Sequence, residues 1–161
     1  MLGVSISSNL KISNYVNDIL ASCVRSLFAL RTLRAHGMPI SALHMIYEAT
    51  VTAKITYASP AWSGFASASD TLRLENFMAK STRLGYRSPS AATICELFNS
   101  ADKYLFKAIQ STEHVLHNLL PRPRVREHFT RAQYHPFEIS AKETALRQRN
   151  FLPRMLHKDT Y

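Results

Sequence analysis

The feature that most constrains the fold is a long apolar repeat between Ser13 and Gly37. Apolar side chains recur there every three or four residues, which is the period of an α-helix with one buried face. Ser13 is suited to begin this helix as its N-cap. Gly37 is suited to end it, because glycine readily adopts the left-handed backbone of a C-terminal cap. The repeat therefore predicts a long amphipathic helix that must pack against others.

Further segments carry the same period, and the chain has only 4 Gly and 7 Pro to interrupt them. We expect these further helices from Pro39 to about Ala58, from Ser69 to near Gly85, from Ser90 to Phe98, and from about Ala101 to Pro121. Trp62 and Phe65 are expected to fill the core between them. The predicted fold class is mainly α, a small helical bundle.

Both ends of the chain depart from this helical pattern. Residues 2–7 alternate apolar and polar side chains, which predicts a strand whose partner strands belong to sequence upstream of Met1. Residues 121–161 are rich in Pro and Arg at their start and are expected to be partly irregular. The predicted organisation is an orphan strand at 1–10, a helical domain at 11–120 and a basic C-terminal segment at 121–161.

The sequence is strongly basic, with 20 Lys and Arg against 11 Asp and Glu and a formal net charge of +9. Such a surplus attracts nucleic acid, anionic membranes or acidic proteins. Aromatic residues are interleaved with the cations of the last quarter, and core packing is the favoured interpretation over stacking on bases. These aromatic residues are Phe129, Tyr134, Phe137 and Phe151.

No pattern in the sequence predicts catalysis. The acidic residues are scattered singly, and the glycines form no phosphate-binding loop. His114 and His117 share a helical spacing but have no further metal ligands nearby. Cys23 and Cys95 lie in apolar patterns and are expected to be buried and reduced, as in an intracellular protein. No run is long enough to span a membrane. We therefore expect no enzyme activity, metal or cofactor.

Several stretches together resemble one known family, the jockey-like non-LTR retrotransposon reverse transcriptases. The stretches are LGVSISSNL at residues 2–10, LFALRTLR at 27–34, YASPAW at 57–62, DKYLF at 102–106, HVLHNLLP at 114–121 and NFLPRML at 150–156. Together these stretches cover nearly the whole chain, and they follow the order and spacing of the family. Two positions depart from the family pattern: Ile12 stands where the family usually has Trp, and Tyr15 where it often has His.

The resemblance implies that the chain is a fragment that begins just after the polymerase palm. Its helices would correspond to the thumb, which grips the template–primer duplex, and the catalytic aspartates that bind Mg²⁺ would lie in the missing palm. The implied partner is an RNA template or RNA–DNA hybrid rather than a membrane. The implied location is the nucleus or cytoplasm, and the oligomeric state is left open.

Within this interpretation, seven cations are candidates for phosphate contact. Arg73, Lys80 and Arg83 are spaced by seven and three residues and so share one face of a helix. The complete set is Arg73, Lys80, Arg83, Arg87, Arg122, Arg124 and Arg126. Two alternatives stay open: a helical protein–protein interaction module whose charge serves only solubility, and the non-functional product of a decayed element.

Overall fold

The computed structural model describes residues 3–123, 136–138 and 144–158. Within these residues the fold is mainly helical, as predicted. In chain order the elements are α1 (Ser13–Ala35), α2 (Ile40–Tyr47), a π-helical turn (Glu48–Thr52), α3 (Ala53–Thr56), α4 (Ser59–Trp62), α5 (Ala68–Arg83), α6 (Ile94–Ala108) and α7 (Phe151–Leu156), with 3₁₀ turns at Ser63–Phe65, His117–Leu119 and Arg147–Arg149. The chain divides into two compact units, Met1–Phe98 and Asn99–Tyr161.

The helix α1 ends just before Gly37, as the sequence predicts. Gly37 has a φ of 83°, in the left-handed region. Its N–H donates to the carbonyl of Arg34 at 3.0 Å, and the N–H of Met38 donates to that of Leu33 at 3.2 Å. These two bonds form a Schellman motif, which satisfies carbonyls that the helix itself leaves unpaired. Met38 and Leu33 also pack against the core of the first unit.

The second predicted helix, to about Ala58, forms as α2, the π-helical turn and α3 in succession. It buries Leu43, Tyr47, Val51 and Ile55 completely. These residues are each four positions apart. In a regular α-helix, each such step would move the side chain by about 40° around the helix axis. The wider π-helical turn, which contains Val51, absorbs part of this rotation. The four side chains therefore stay on the face that meets α1.

Trp62 occupies the centre of the first unit and is fully buried, which confirms the prediction for this residue. Its indole N–H donates to the carbonyl of Tyr57 at 3.0 Å. Its ring meets those of Tyr15 and Phe98 edge to face, with centroids 5.6 and 5.2 Å away. Between Tyr57 and α4, Ala58 has a φ of 49°, which turns the chain sharply enough to return the indole to Tyr57.

The predicted N-terminal strand is not paired among the residues that the structure describes. Residues 3–7 belong to no strand, and the part of the chain that is described offers them no strand to pair with. The chain turns instead at Ser7, whose carbonyl accepts from the N–H of Leu10 at 2.8 Å and whose hydroxyl donates to the carbonyl of Lys11 at 3.0 Å. Val4 packs against the helical core.

The two helices expected between residues 90 and 121 are one shorter helix, α6. It begins after Thr93, whose backbone N–H donates to the Glu96 carboxylate at 2.7 Å while its hydroxyl accepts from the Glu96 N–H at 3.3 Å. This reciprocal pair is a capping box. The expected continuation to Pro121 is wrong, because α6 ends at Ala108 and Ser111 begins further turns.

The second unit has its own core, which includes residues from the segment expected to be irregular. Phe106 and Phe137 meet edge to face, with ring centroids 6.4 Å apart, and Met155 is fully buried beside them. Phe137 and Phe151 pack against this core, as favoured, whereas Phe129 and Tyr134 lie outside the described residues. Within this segment, expected to be partly irregular, Phe151–Leu156 forms α7.

The boundary between the units also differs from the predicted one. It falls after Phe98 rather than after residue 120. The reason is that Phe106 and Ile109, at the end of α6 and just beyond it, pack with Met155 and Leu156 of α7.

Candidate nucleic-acid interface

The α5 helix carries the largest group of predicted phosphate contacts, and its N-terminus is firmly anchored. Ser67 is the N-cap, two residues before the predicted cap, and its hydroxyl accepts from the N–H of Asp70 at 3.1 Å. The buried carboxylate of Asp70 accepts hydrogen bonds from the hydroxyls of Ser67 at 2.7 Å and Ser13 at 2.9 Å. Ser13 is the first residue of α1 and not its N-cap, which is Ile12, so the predicted cap is wrong by one residue. The bond from Ser13 to Asp70 ties α1 to α5.

The three predicted cations of α5 are all exposed. Leu74 and Met78 face the core, and the cations lie on the far side of the helix. Lys80 is displaced from Arg73 by about 20° around the axis, and Arg83 from Lys80 by about 60°. The structure thus places Arg73, Lys80 and Arg83 on one side of α5, as their spacing indicates.

Arg73 is partly engaged by neighbouring side chains. Its guanidinium donates to the amide oxygen of Asn17 at 2.6 Å and lies 3.6 Å from the carboxylate of Asp70. Its side chain remains 44% exposed. Lys80 and Arg83, by contrast, form no ion pair or side-chain hydrogen bond with any residue in the described ranges. Their charges are therefore available to an external anion.

Arg87 does not belong to this surface. After the Schellman motif at Gly85, the chain turns inward, and Arg87 is only 7% exposed. Its guanidinium donates to the carbonyl of Ala92 and lies 3.9 Å from the carboxylate of Glu48. The prediction that it contacts phosphate is corrected to a role in holding the loop that follows α5.

The candidates in the second unit are only partly described. The side chain of Arg122 is exposed, and its carbonyl accepts from the backbone N–H of Glu138 at 3.0 Å. Arg124 and Arg126 lie outside the described residues.

Two contacts place α1 and α5 side by side and parallel. Near their N-termini Arg73 reaches Asn17. Near their C-termini the guanidinium of Arg34 donates to the carbonyl of Leu84 at 2.7 Å and lies over the ring of Tyr86, 4.3 Å from its centroid. A cation at this carbonyl also suits the negative end of the α5 dipole. The two helices therefore meet along one seam between these contacts.

Sequence reasoning missed the contribution of α1 to this seam. Val24, Phe28 and Arg31 lie within about 40° of Asn17 around the axis of α1. They are therefore on the same side of α1 as Asn17, the residue that contacts Arg73. Val24 is 56% exposed and Phe28 is 69% exposed. No sequence signal separated Val24 and Phe28 from the buried residues of the apolar α1 repeat. We call the following set the α1–α5 face: Val24, Phe28 and Arg31 of α1, with Arg73, Lys80 and Arg83 of α5.

The first unit carries more cationic than anionic side chains. Residues 1–98 contain nine Lys and Arg against five Asp and Glu. Asp70 and Glu96 form helix caps, and Glu48 approaches Arg87. Burial would raise the pKa of Asp70, but hydrogen bonds from Ser67 and Ser13 and the nearby Arg73 hold that pKa below its ordinary value. These carboxylates are thus committed to structural contacts away from Lys80 and Arg83.

The histidines and cysteines singled out by the sequence lie at separate places in the described residues. The described ranges contain no group of three or more His, Cys, Asp or Glu side chains that could hold a metal ion. The Nδ1 of His117 lies 3.1 Å from the carbonyl of Ile109, and that of His114 accepts from the N–H of Leu116. Cys23 is buried as expected, whereas the expectation for Cys95 is wrong because that residue is exposed; neither forms a disulfide.

Among the described helices, none is both long enough and apolar enough to cross a bilayer. Comparison of the chain with protein-family models, with curated proteins and with solved structures returned no match.

Proposed function

We propose that this protein is a non-catalytic nucleic-acid-binding module that holds the phosphate backbone through the α1–α5 face. The observation that carries the proposal is the line of exposed cations beside the α1–α5 seam. Lys80 and Arg83 have no ion-pair partner among the described residues, and Arg31 extends their charge onto α1. Such side chains neutralise phosphates and release condensed counterions, which is the main source of affinity for nucleic acids.

The rigidity of the seam favours binding by a preformed surface. Asp70 anchors the start of α5 to Ser13, and Arg34 anchors its end through Leu84. The cations on α5 are therefore held at a fixed position relative to those on α1. A surface that needs no rearrangement loses less conformational entropy when it binds.

The resemblance to reverse transcriptases supports a more specific version of this proposal. In that version the first unit is thumb-like, and its ligand is an RNA template or RNA–DNA hybrid. The catalytic aspartates would belong to a separate palm, so binding without polymerisation is the activity proposed for this chain. A solvated surface of a protein–protein interaction module is the competing assignment.

A salt titration tests the proposal. Affinity of the full chain for an RNA–DNA hybrid is measured at several salt concentrations, and the logarithm of affinity is plotted against that of salt. The slope changes by about 0.7 to 0.9 for each phosphate contact. Lys80→Gln combined with Arg83→Gln should therefore reduce the slope by roughly 1.5.

The matched control is Lys103→Gln with Lys107→Gln, which removes the same charge from exposed positions of α6 in the second unit. The control should leave the slope close to that of the unmodified protein. Equal effects of the two double variants would mean that only net charge matters. Absence of binding at low salt would overturn the proposal in favour of the interaction module.

A further inference from the structure

The α1–α5 face contains an apolar patch that phosphate contacts do not explain. Phe28 is 69% exposed, Val24 56% and Leu84 42%. Val24 and Phe28 are separated by one helical turn on α1, and Leu84 lies on the line that runs from Arg73 through Lys80 on α5. Burying such side chains is favourable, so the exposed pair Val24 and Phe28 on α1 marks a candidate contact surface.

The surroundings of the patch indicate the chemistry of its ligand. Arg25 and Arg31 lie three residues before and after Phe28, one turn away on either side, and both are exposed. The neighbouring helix α5 adds the exposed cations Lys80 and Arg83. An exposed aromatic ring between cations is the arrangement by which proteins bind single-stranded nucleic acid, because bases stack on the ring while phosphates meet the cations.

We infer that the α1–α5 face binds an unpaired nucleotide strand, with a base stacked on Phe28. This inference rests on the proposed function. A duplex keeps its bases stacked on each other and would use only the cations. A docked amphipathic helix would require apolar anchors at regular helical intervals along a groove. Here the apolar patch is short and is interrupted by Arg31 and Lys80, which favours an alternating base–phosphate ligand.

The experiment uses single-stranded RNA of about 12 nucleotides that carries 2-aminopurine, a base whose fluorescence reports stacking. Binding of the full chain should change this fluorescence. Phe28→Leu keeps an apolar side chain but removes the aromatic face, and it should weaken binding to the strand by roughly 5-fold to 150-fold. Phe28→Tyr keeps the ring and should bind as the unmodified protein does.

Two further readouts separate stacking from charge. Phe28→Leu should leave the salt slope unchanged, because no phosphate contact is lost, and should leave affinity for an RNA–DNA hybrid unchanged. Since Phe28 is exposed, the variant should keep the unmodified circular dichroism spectrum and unfolding midpoint.

The possible results distinguish the two proposals. Salt-dependent binding that is weakened by loss of Lys80 and Arg83 but is indifferent to Phe28 would overturn the stacking inference and leave the proposed function standing. Equal loss of hybrid and single-strand binding in Phe28→Leu would also overturn it. If neither nucleic acid binds at low salt, while an acidic amphipathic peptide binds in a Phe28-dependent manner, both proposals are wrong.

Discussion

Arg154 donates from one guanidinium nitrogen to both carboxylate oxygens of Asp102, at 2.9 and 3.0 Å, across 52 positions of sequence. The Asp102 side chain is 7% exposed and that of Arg154 is 23% exposed. A second guanidinium nitrogen donates to the carbonyl of Arg149 at 3.2 Å. The ion pair joins α6 to α7.

This ion pair should be important for the stability of the second unit. Arg154→Met should lower the free energy of unfolding by about 2 to 3 kcal/mol, because it leaves the buried Asp102 carboxylate without this guanidinium. Hydrogen exchange at the backbone amides of α6 and α7 measures the effect. In a cycle of Asp102→Leu, Arg154→Met and the double variant, the double variant should be less destabilised than the sum of these two single variants. Strictly additive effects would show that the two side chains act independently.

Asp70 should make the free energy of unfolding depend on pH. Its pKa is below the ordinary value in the folded protein, so ionised Asp70 favours folding at any pH above its unfolded-state pKa of about 3.9. This contribution is lost as the pH falls through the lower, folded-state pKa. Urea unfolding at a series of pH values should show the decline, and Asp70→Asn should show a smaller one. The same pH dependence in both proteins would assign the effect to other carboxylates.

Gly37 should resist substitution for a purely conformational reason. Its φ is 83°, and a Cβ added there would meet no other atom within 4 Å. Gly37→Ala should therefore cost about 1 kcal/mol of unfolding free energy, the penalty for a side chain in the left-handed region. Gly3→Ala is the matched control, since that site is equally open but its φ is not positive. Thermal unfolding should show a lower midpoint for the first variant only.

Arg87 should affect folding without affecting phosphate binding. Arg87→Met removes the hydrogen bond to Ala92 and the approach to Glu48, which should cost about 2 kcal/mol of stability. The salt slope for binding an RNA–DNA hybrid should stay unchanged, measured at a temperature where the variant is folded. A slope reduced by about 0.7 to 0.9 would place Arg87 back among the phosphate contacts.

The two cysteines should differ in reactivity. Cys95 is exposed, whereas Cys23 is buried and burial raises the pKa of its thiol to about 11. Because the thiolate is the reactive form, a maleimide should modify Cys95 in the folded protein and Cys23 only after unfolding. Mass spectrometry of the labelled peptides distinguishes the sites. Rapid labelling of Cys23 under native conditions would mean that α1 opens easily.

The candidate interface could be predicted only in part. The spacing of Arg73, Lys80 and Arg83 is enough to place them on one side of a helix, because side-chain direction follows from the helical period. The same reasoning could not exclude Arg87, which lies beyond the helix where no period applies. Nor could it select Phe28, because an aromatic residue in an apolar repeat is usually buried.

The sequence by itself determined the local structure where short-range interactions dominate. The apolar period defined α1, and Gly37 and Gly85 ended helices because few other residues adopt their backbone conformation without strain. Only the tertiary structure decided that residues 3–7 form no strand, that Arg154 pairs with Asp102, and that Phe28 stays exposed. The physical reason is that pairing, burial and exposure depend on which distant residues come to lie nearby, and no local pattern encodes those neighbours.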